Sequence, residues 1–180
     1  PGDVYHVDAL SEGGKVIFAR VSQYLATPFD VAHGGGIFRS VIVPFGSEDE
    51  KKLTRLNSDV MQAFGMQYSA SHTEFIRNRE TGDYYFLETA SRVGGAHLAE
   101  MVEAASGLNL WYEWARLEAA IAKGEKYQLP EVRKEYAGIV VSLTKQEWPD
   151  DSQFNDAEIA WRMTGMDHHI GLIVRSKKRE

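Results

Sequence analysis

The stretch His72-Thr73-Glu74-Phe75-Ile76, followed after a polar loop by Tyr85-Phe86-Leu87-Glu88-Thr89-Ala90-Ser91-Arg92-Val93-Gly94-Gly95, carries the fold of this chain. Both apolar runs read as strands, and Asn78-Arg79-Glu80-Thr81-Gly82-Asp83 between them has the polar and Gly content of a hairpin loop. A hairpin folded about Thr81 sets Asn78 opposite Tyr84, Ile76 opposite Phe86 and Glu74 opposite Glu88. Side chains directly opposed on antiparallel strands lie about 5 Å apart, and like charges placed there destabilise the sheet. A cation between them removes the conflict, and Mg²⁺ suits two carboxylates because it takes hard oxygen ligands and is commonly shared with nucleotide phosphates. The competing reading is a register slipped by one, with two solvated carboxylates.

Outward from the hairpin, a period of two puts Glu88 and Ala90 on one face and Leu87 and Thr89 on the other. Arg92, just past the strand, is a permanent cation with five donors, suited to a carboxylate, a carbonate or a phosphoryl group. Gly94 and Gly95 lead to a helix expected from about Ala96 to Ser106, whose N-terminus favours an anion.

The flanking segments alternate in the same way. Asp3 to Leu10 and Lys15 to Leu25 read as strands joined by Ser11-Glu12-Gly13-Gly14. Ala26 to Gly36 reads as a loop, with His33-Gly34-Gly35-Gly36 costly to order, and Ile37 to Val43 as a strand. Ser47 and Glu50 form a capping box for a helix with Leu53, Leu56, Val60 and Phe64 on one face and Gly65 as its stop. A further helix starts near Asn109 and ends at Gly124. Polar residues from Lys123 to Lys134 mark a boundary, dividing 1–124 from a β-rich lobe or extension over 125–180. In that lobe Tyr136 to Lys145 and His169 to Ser176 read as strands.

Composition narrows the partners. The 180 residues are 43% hydrophobic and carry 20 Lys and Arg against 26 Asp and Glu, for a net charge of −6. Only Lys177-Lys178-Arg179 concentrates positive charge, which argues against a nucleic-acid partner. There is no cysteine, so disulfides and thiolate metal sites are excluded and a reducing cytoplasm fits. No apolar run reaches the roughly 18 to 20 residues of a membrane span, and no signal-peptide pattern opens the chain. The chain starts at Pro1-Gly2 and reads as a piece of something longer.

The order strand ending in Glu, hairpin, Phe-Leu-Glu, small residues, Arg and Gly-Gly resembles the C-terminal half of ATP-grasp enzymes, a group including biotin carboxylase, carbamoyl phosphate synthetase and the carboxylate–amine ligases. The resemblance runs over roughly Pro1 to Ala122 and is most specific from Thr73 to His97. It implies an α+β fold, an antiparallel sheet with helices packed on one face, and ATP with Mg²⁺ or Mn²⁺ as cofactors. By the same resemblance Glu74 and Glu88 would hold the metal against the nucleotide, and Arg92 would hold the acceptor anion and an acyl-phosphate-like intermediate. His6, in the His-Val-Asp strand, would approach ATP.

The reaction implied is ATP-dependent activation of a carboxylate or bicarbonate for attack by an amine. Gly94, Gly95 and Ala96 favour the carboxylate–amine ligase branch over biotin carboxylase. Partners would be ATP and a small carboxylate substrate, and a homodimer stays open. Candidate substrate contacts are His33, Arg39, Gly94, Gly95 and His97.

Two departures stand out. Ala90 occupies a position where many such enzymes place a metal-ligating Asn, so a water or Ser91 would have to substitute. The phosphate-binding lysines and Gly-rich loop of such enzymes lie upstream of this segment, so the piece alone is expected to hold ATP weakly and be inactive. These departures favour the competing reading, a non-catalytic module for ligand sensing or assembly. A Mg²⁺-dependent hydrolase would need a general base near the metal, and none is identifiable. His168 and His169 point to opposite faces of a strand and cannot easily share an ion. Trp111, Trp114 and Trp161 read as packing residues.

Overall fold

The computed structural model describes residues 2–179, apart from the side chain of Asp30. Its elements are β1 (Gly2–Glu12), β2 (Lys15–Tyr24), α1 (Pro28–Gly34), β3 (Phe38–Ile42), α2 (Glu48–Ala63), β4 (Ser69–Asn78), β5 (Tyr84–Ala90), α3 (Leu98–Ser106), α4 (Leu110–Lys123), β6 (Tyr136–Leu143), β7 (Ile159–Arg162) and β8 (His169–Ser176). All eight strands join one antiparallel sheet in the order β5-β4-β1-β2-β3-β6-β8-β7. The α+β class and the antiparallel sheet are those expected.

The helices divide between the two faces of the sheet. Tyr5, Val7, Val21 and Phe75 turn toward α2, where Leu53 is packed among them. On the other face, Leu10, Phe18 and Ala70 meet Leu110 and Leu117 of α4. Val4, Ile139 and Ile173 meet Leu98, Met101 and Ala105 of α3 on that same face. Alternation along β1 explains why the strand is buried almost throughout: both of its faces carry apolar layers. Gly124 ends α4 in the left-handed conformation at φ 67°, and the chain then runs on to add β6, β8 and β7 beside β3. β7 lies between the strands expected at Tyr136 to Lys145 and His169 to Ser176, where no strand is expected.

Local chemistry explains the other boundaries. The Ser47 hydroxyl accepts from the Glu50 amide at 3.1 Å, while the Glu50 carboxylate accepts from the Gly46 amide, so the capping box closes one residue early. The loop expected over 26–36 contains the short seven-residue helix α1. The helix expected from Ala96 starts instead at Leu98, because Ala96 and His97 both hold positive φ, 50° and 61°.

The hairpin register departs from the expected one near its turn. Asn78 pairs with Asp83 through its amide, and its side-chain oxygen accepts from the Glu80 and Thr81 amides, closing a four-residue loop. From there Arg77 faces Tyr84, Ile76 faces Tyr85 and Phe75 faces Phe86. A β-bulge then leaves Leu87 unpaired, and beyond it Glu74 faces Glu88 as expected, followed by Thr73 opposite Thr89 and His72 opposite Ala90.

Candidate functional site

The two opposed carboxylates line one cleft of about 220 Å³ with Arg92, whose position past β5 brings its guanidinium to the same mouth. Arg92 Nη1 also donates to the Val93 carbonyl at 2.9 Å, which fixes the side chain against its own turn. Tyr24, Pro28, Phe38, His72, Gly95, Ala96 and Leu98 complete the lining.

Glu74 is held from beneath by groups that sequence patterning does not single out. The Tyr24 hydroxyl donates to Glu74 Oε1 at 2.9 Å, and His72 Nε2 lies 3.4 Å from the same oxygen. His72 Nδ1 meets Asp8 Oδ1 at 2.8 Å, and the other Asp8 oxygen meets His6 Nδ1 at 2.7 Å. His6 Nε2 then reaches the Ser40 hydroxyl at 2.7 Å. Register builds this chain: His6 faces Ser22 and Glu74 across β2 and β4, and Asp8 faces Arg20 and His72. His6, Asp8 and His72 are all buried. Their ligand atoms cluster closely enough to hold an ion, but each ring nitrogen facing Asp8 is already satisfied by hydrogen bonding.

Charge in this network follows from burial set against pairing. Burial alone would lower the His72 pKa, yet the Asp8 and Glu74 carboxylates outweigh it and push it up to about 9. Burial lowers His6 more than Asp8 can restore it, so His6 is the neutral ring of the pair. Asp8, which burial would raise, is held well below the carboxylate range by His6 and His72. Burial would also raise Glu74, but hydrogen bonds from His72 and Tyr24 keep it below its ordinary value. The result is an Asp8–His72 ion pair under an ionised Glu74, one of whose carboxylate oxygens is engaged by Tyr24 and His72.

Gly94 has a packing explanation. A Cβ there would stand 2.7 Å from Asp8 Oδ1, 3.0 Å from His72 Nδ1 and 3.3 Å from Leu98 Cβ. The backbone of the Gly-Gly turn therefore lies directly on the buried ion pair, and only glycine fits. Gly94 faces this pair, while Gly95 lines the cleft.

Other expected contacts fall elsewhere. His6 is fully enclosed with both ring nitrogens engaged, so it supports the site from below and presents nothing to a nucleotide. Arg39 points away from its neighbour Phe38 and lies over an apolar groove on the opposite face, with Val140, Leu172 and Val174. His33 stacks on Phe29 at 4.0 Å and bonds its carbonyl, outside the cleft lining. His97 lies against Trp161, with ring centroids 4.5 Å apart and the planes tilted by 39°, and pairs with Glu100 at 3.4 Å. Ser91 is turned to the Ser69 hydroxyl at 2.7 Å and so does not replace the donor that Ala90 lacks. The sequence signal for Asp8 and His72 lay in their polar character at inward positions of otherwise apolar strands, but their pairing across 64 residues is a property of the folded sheet.

No family model matches the sequence and no curated protein matches it. Solved structures do resemble it. An L-amino acid ligase from Bacillus licheniformis superposes with a TM-score of 0.71 at 15% identity, over 99% of this chain and 47% of that one. Phosphoribosylglycinamide synthetase from Anaerococcus prevotii gives 0.66 at 15% identity, over 99% and 49%. The biotin carboxylase domain of the Hydrogenobacter thermophilus 2-oxoglutarate carboxylase, in complex with MgADP and bicarbonate, gives 0.61 at 17% identity, over 98% and 42%. The chain has the ATP-grasp fold, and it spans about half the length of these structures.

Proposed function

We propose that this chain is the C-terminal half of an ATP-grasp ligase that joins a carboxylic acid to an amine. The observation that carries the reading is the placement of Glu74 directly opposite Glu88 in one cleft with Arg92. The fold supports it, being shared with an L-amino acid ligase and a MgADP-bound biotin carboxylase domain.

Two carboxylates facing each other form a donor set that fits Mg²⁺ or Mn²⁺. Glu74 and Glu88 would hold the ion, which when bound supplies neutralisation of phosphate charge. Tyr24 and His72 fix the Glu74 carboxylate, and Arg92 binds and orients the acceptor carboxylate. In the reaction class proposed, an oxygen of that carboxylate attacks the γ-phosphorus of ATP, the bond to the bridging oxygen breaks, and ADP leaves with the electron pair. The amine nitrogen then bonds to the acyl carbon, phosphate departs with the carbon–oxygen electron pair, and the amine loses its proton to solvent. Arg92 faces negative charge at both stages. The phosphate-binding lysines and Gly-rich loop would come from the part of such enzymes that lies upstream.

A second reading, a ligand-sensing or assembly module, is favoured by one observation: Ala90 stands opposite His72 and supplies no ligand beside Glu88. Titration with Mn²⁺ and ATP, followed by electron paramagnetic resonance, separates the two. The ligase reading expects Mn²⁺ binding that ATP strengthens and Glu88→Gln removes. Equal binding by both proteins defeats the metal assignment.

A further inference from the structure

The cleft has two chemically distinct halves. Glu74, Glu88 and Arg92 form a charged floor, while Pro28, Phe38 and Leu98 form a wall with no polar side-chain atom. Tyr24 stands between them, but its hydroxyl is committed to Glu74 at 2.9 Å, so its ring is what it offers the wall. The wall is fixed. Phe38 sits edge-on to Tyr24 with ring centroids 5.7 Å apart, and Leu98 is anchored in the α3 core at 2% exposure. Register puts Phe38 on this face and sends Arg39 to the other, so the strand presents its apolar member to the site and withholds its charged one.

An acceptor without a side chain, such as bicarbonate or glycine, would leave the half-buried Pro28 and Phe38 against water, with Leu98 behind them. Small-molecule sites of this composition take ligands whose apolar part fills the wall and whose few polar atoms meet the charged groups. At roughly 30 Å³ per water-sized group, a cleft of about 220 Å³ takes a carboxylate and a short hydrocarbon chain. We infer that the acceptor is a carboxylic acid bearing an apolar side chain, its carboxylate on Arg92 and its side chain against Pro28, Phe38 and Leu98, with Phe38 as the selecting residue. This rests on the reading that Arg92 holds the acceptor carboxylate.

The test titrates the protein, in the presence of Mg²⁺, with acetate, butanoate, 4-methylpentanoate and 3-phenylpropanoate, following binding by calorimetry or by amide shifts of Gly95 and Ala96. Each methylene buried against the wall tightens binding about fourfold, so butanoate should bind roughly 15-fold more tightly than acetate. Phe38→Ala should flatten that series, and Phe38→Leu should keep most of it, which separates lost selection from lost folding. Phe38→Lys should favour butanedioate over butanoate. Arg92→Gln should weaken every probe alike. Equal affinity for all four acids overturns the apolar wall while leaving Arg92 as the carboxylate site. No binding of any acid overturns both.

Discussion

Raising the pH from 6.5 to 9 should cost this protein stability through a single ring. His72 is raised from the ordinary 6.5 to about 9 in the fold, against a burial effect that works the other way. A group whose folded pKa exceeds its unfolded one contributes stability that is complete below the unfolded value and is lost as pH climbs through the folded value. The gap corresponds to about 3 kcal/mol at 1.36 kcal/mol per pH unit. His72 is only 6% exposed, so solvent screens little of it.

Asp8 has the opposite sign: its depressed pKa gives stability present above about pH 4 and lost as pH falls through the folded value. The lowered His6 pKa also removes stability as pH falls below 6.5, because the unfolded ring takes up a proton that the buried one resists, so stability is greatest near pH 6.5. For a chain of this size 3 kcal/mol is a fall in Tm of roughly 6 to 12 °C between pH 6.5 and 9. Thermal denaturation followed by circular dichroism across that range measures it, with His72→Gln as the reference. The variant should be less stable throughout, because Asp8 loses its cationic partner, and should show a flat profile from 6.5 to 9. A flat profile in the native protein, or an equal decline in the variant, refutes the assignment of the charge to His72.

The remaining expectations concern neighbouring parts of the site. Gly94→Ala, which places a methyl 2.7 Å from Asp8 Oδ1, should destabilise by about 1 to 3 kcal/mol in urea unfolding, whereas Gly95→Ala, with nothing within 4 Å of the added carbon, should leave the midpoint near that of the native protein. Tyr24→Phe removes the hydrogen bond to Glu74 and should weaken Mn²⁺ binding about tenfold or somewhat more, read by electron paramagnetic resonance, with circular dichroism confirming the fold. Asn109→Ala removes the side-chain acceptor of the Tyr112 amide at the start of α4 and should lower stability by about 1 kcal/mol without changing Mn²⁺ affinity.

What the sequence disclosed follows the range of each interaction. The α2 start is legible because Ser47 and Glu50 are three residues apart, and the carboxylate pair meets as expected because the bulge at Leu87 offsets the one-residue difference at the turn. The register near the turn differs by one residue from the expected one because the choice between a loop centred on Thr81 and the four-residue loop closed by Asn78 depends on side-chain hydrogen bonds, which composition does not reveal. The positive φ of Ala96 and His97 is not legible because Ala does not favour it and His adopts it only in a minority of cases. The His6–Asp8–His72 chain was invisible for a different reason: its members lie on two strands whose adjacency is fixed only once β1 is inserted between β2 and β4. The resemblance places His6 near ATP, whereas the fold encloses it under the site between Asp8 and Ser40.

The bulge at Leu87 bears on how the molecule behaves among its copies. β5 is an edge strand, and Tyr85, Phe86 and Leu87 on it are each about half exposed. An uncharged apolar edge of this kind is a template on which a second strand can grow. The unpaired residue interrupts the outward row of amides and carbonyls and bends the strand midway, so an approaching edge meets a broken ladder. Straightening β5 from the Phe75–Phe86 pair onward would set Glu74 opposite Leu87 and turn Glu88 to the other face, so the irregularity that breaks the edge is also what pairs the carboxylates.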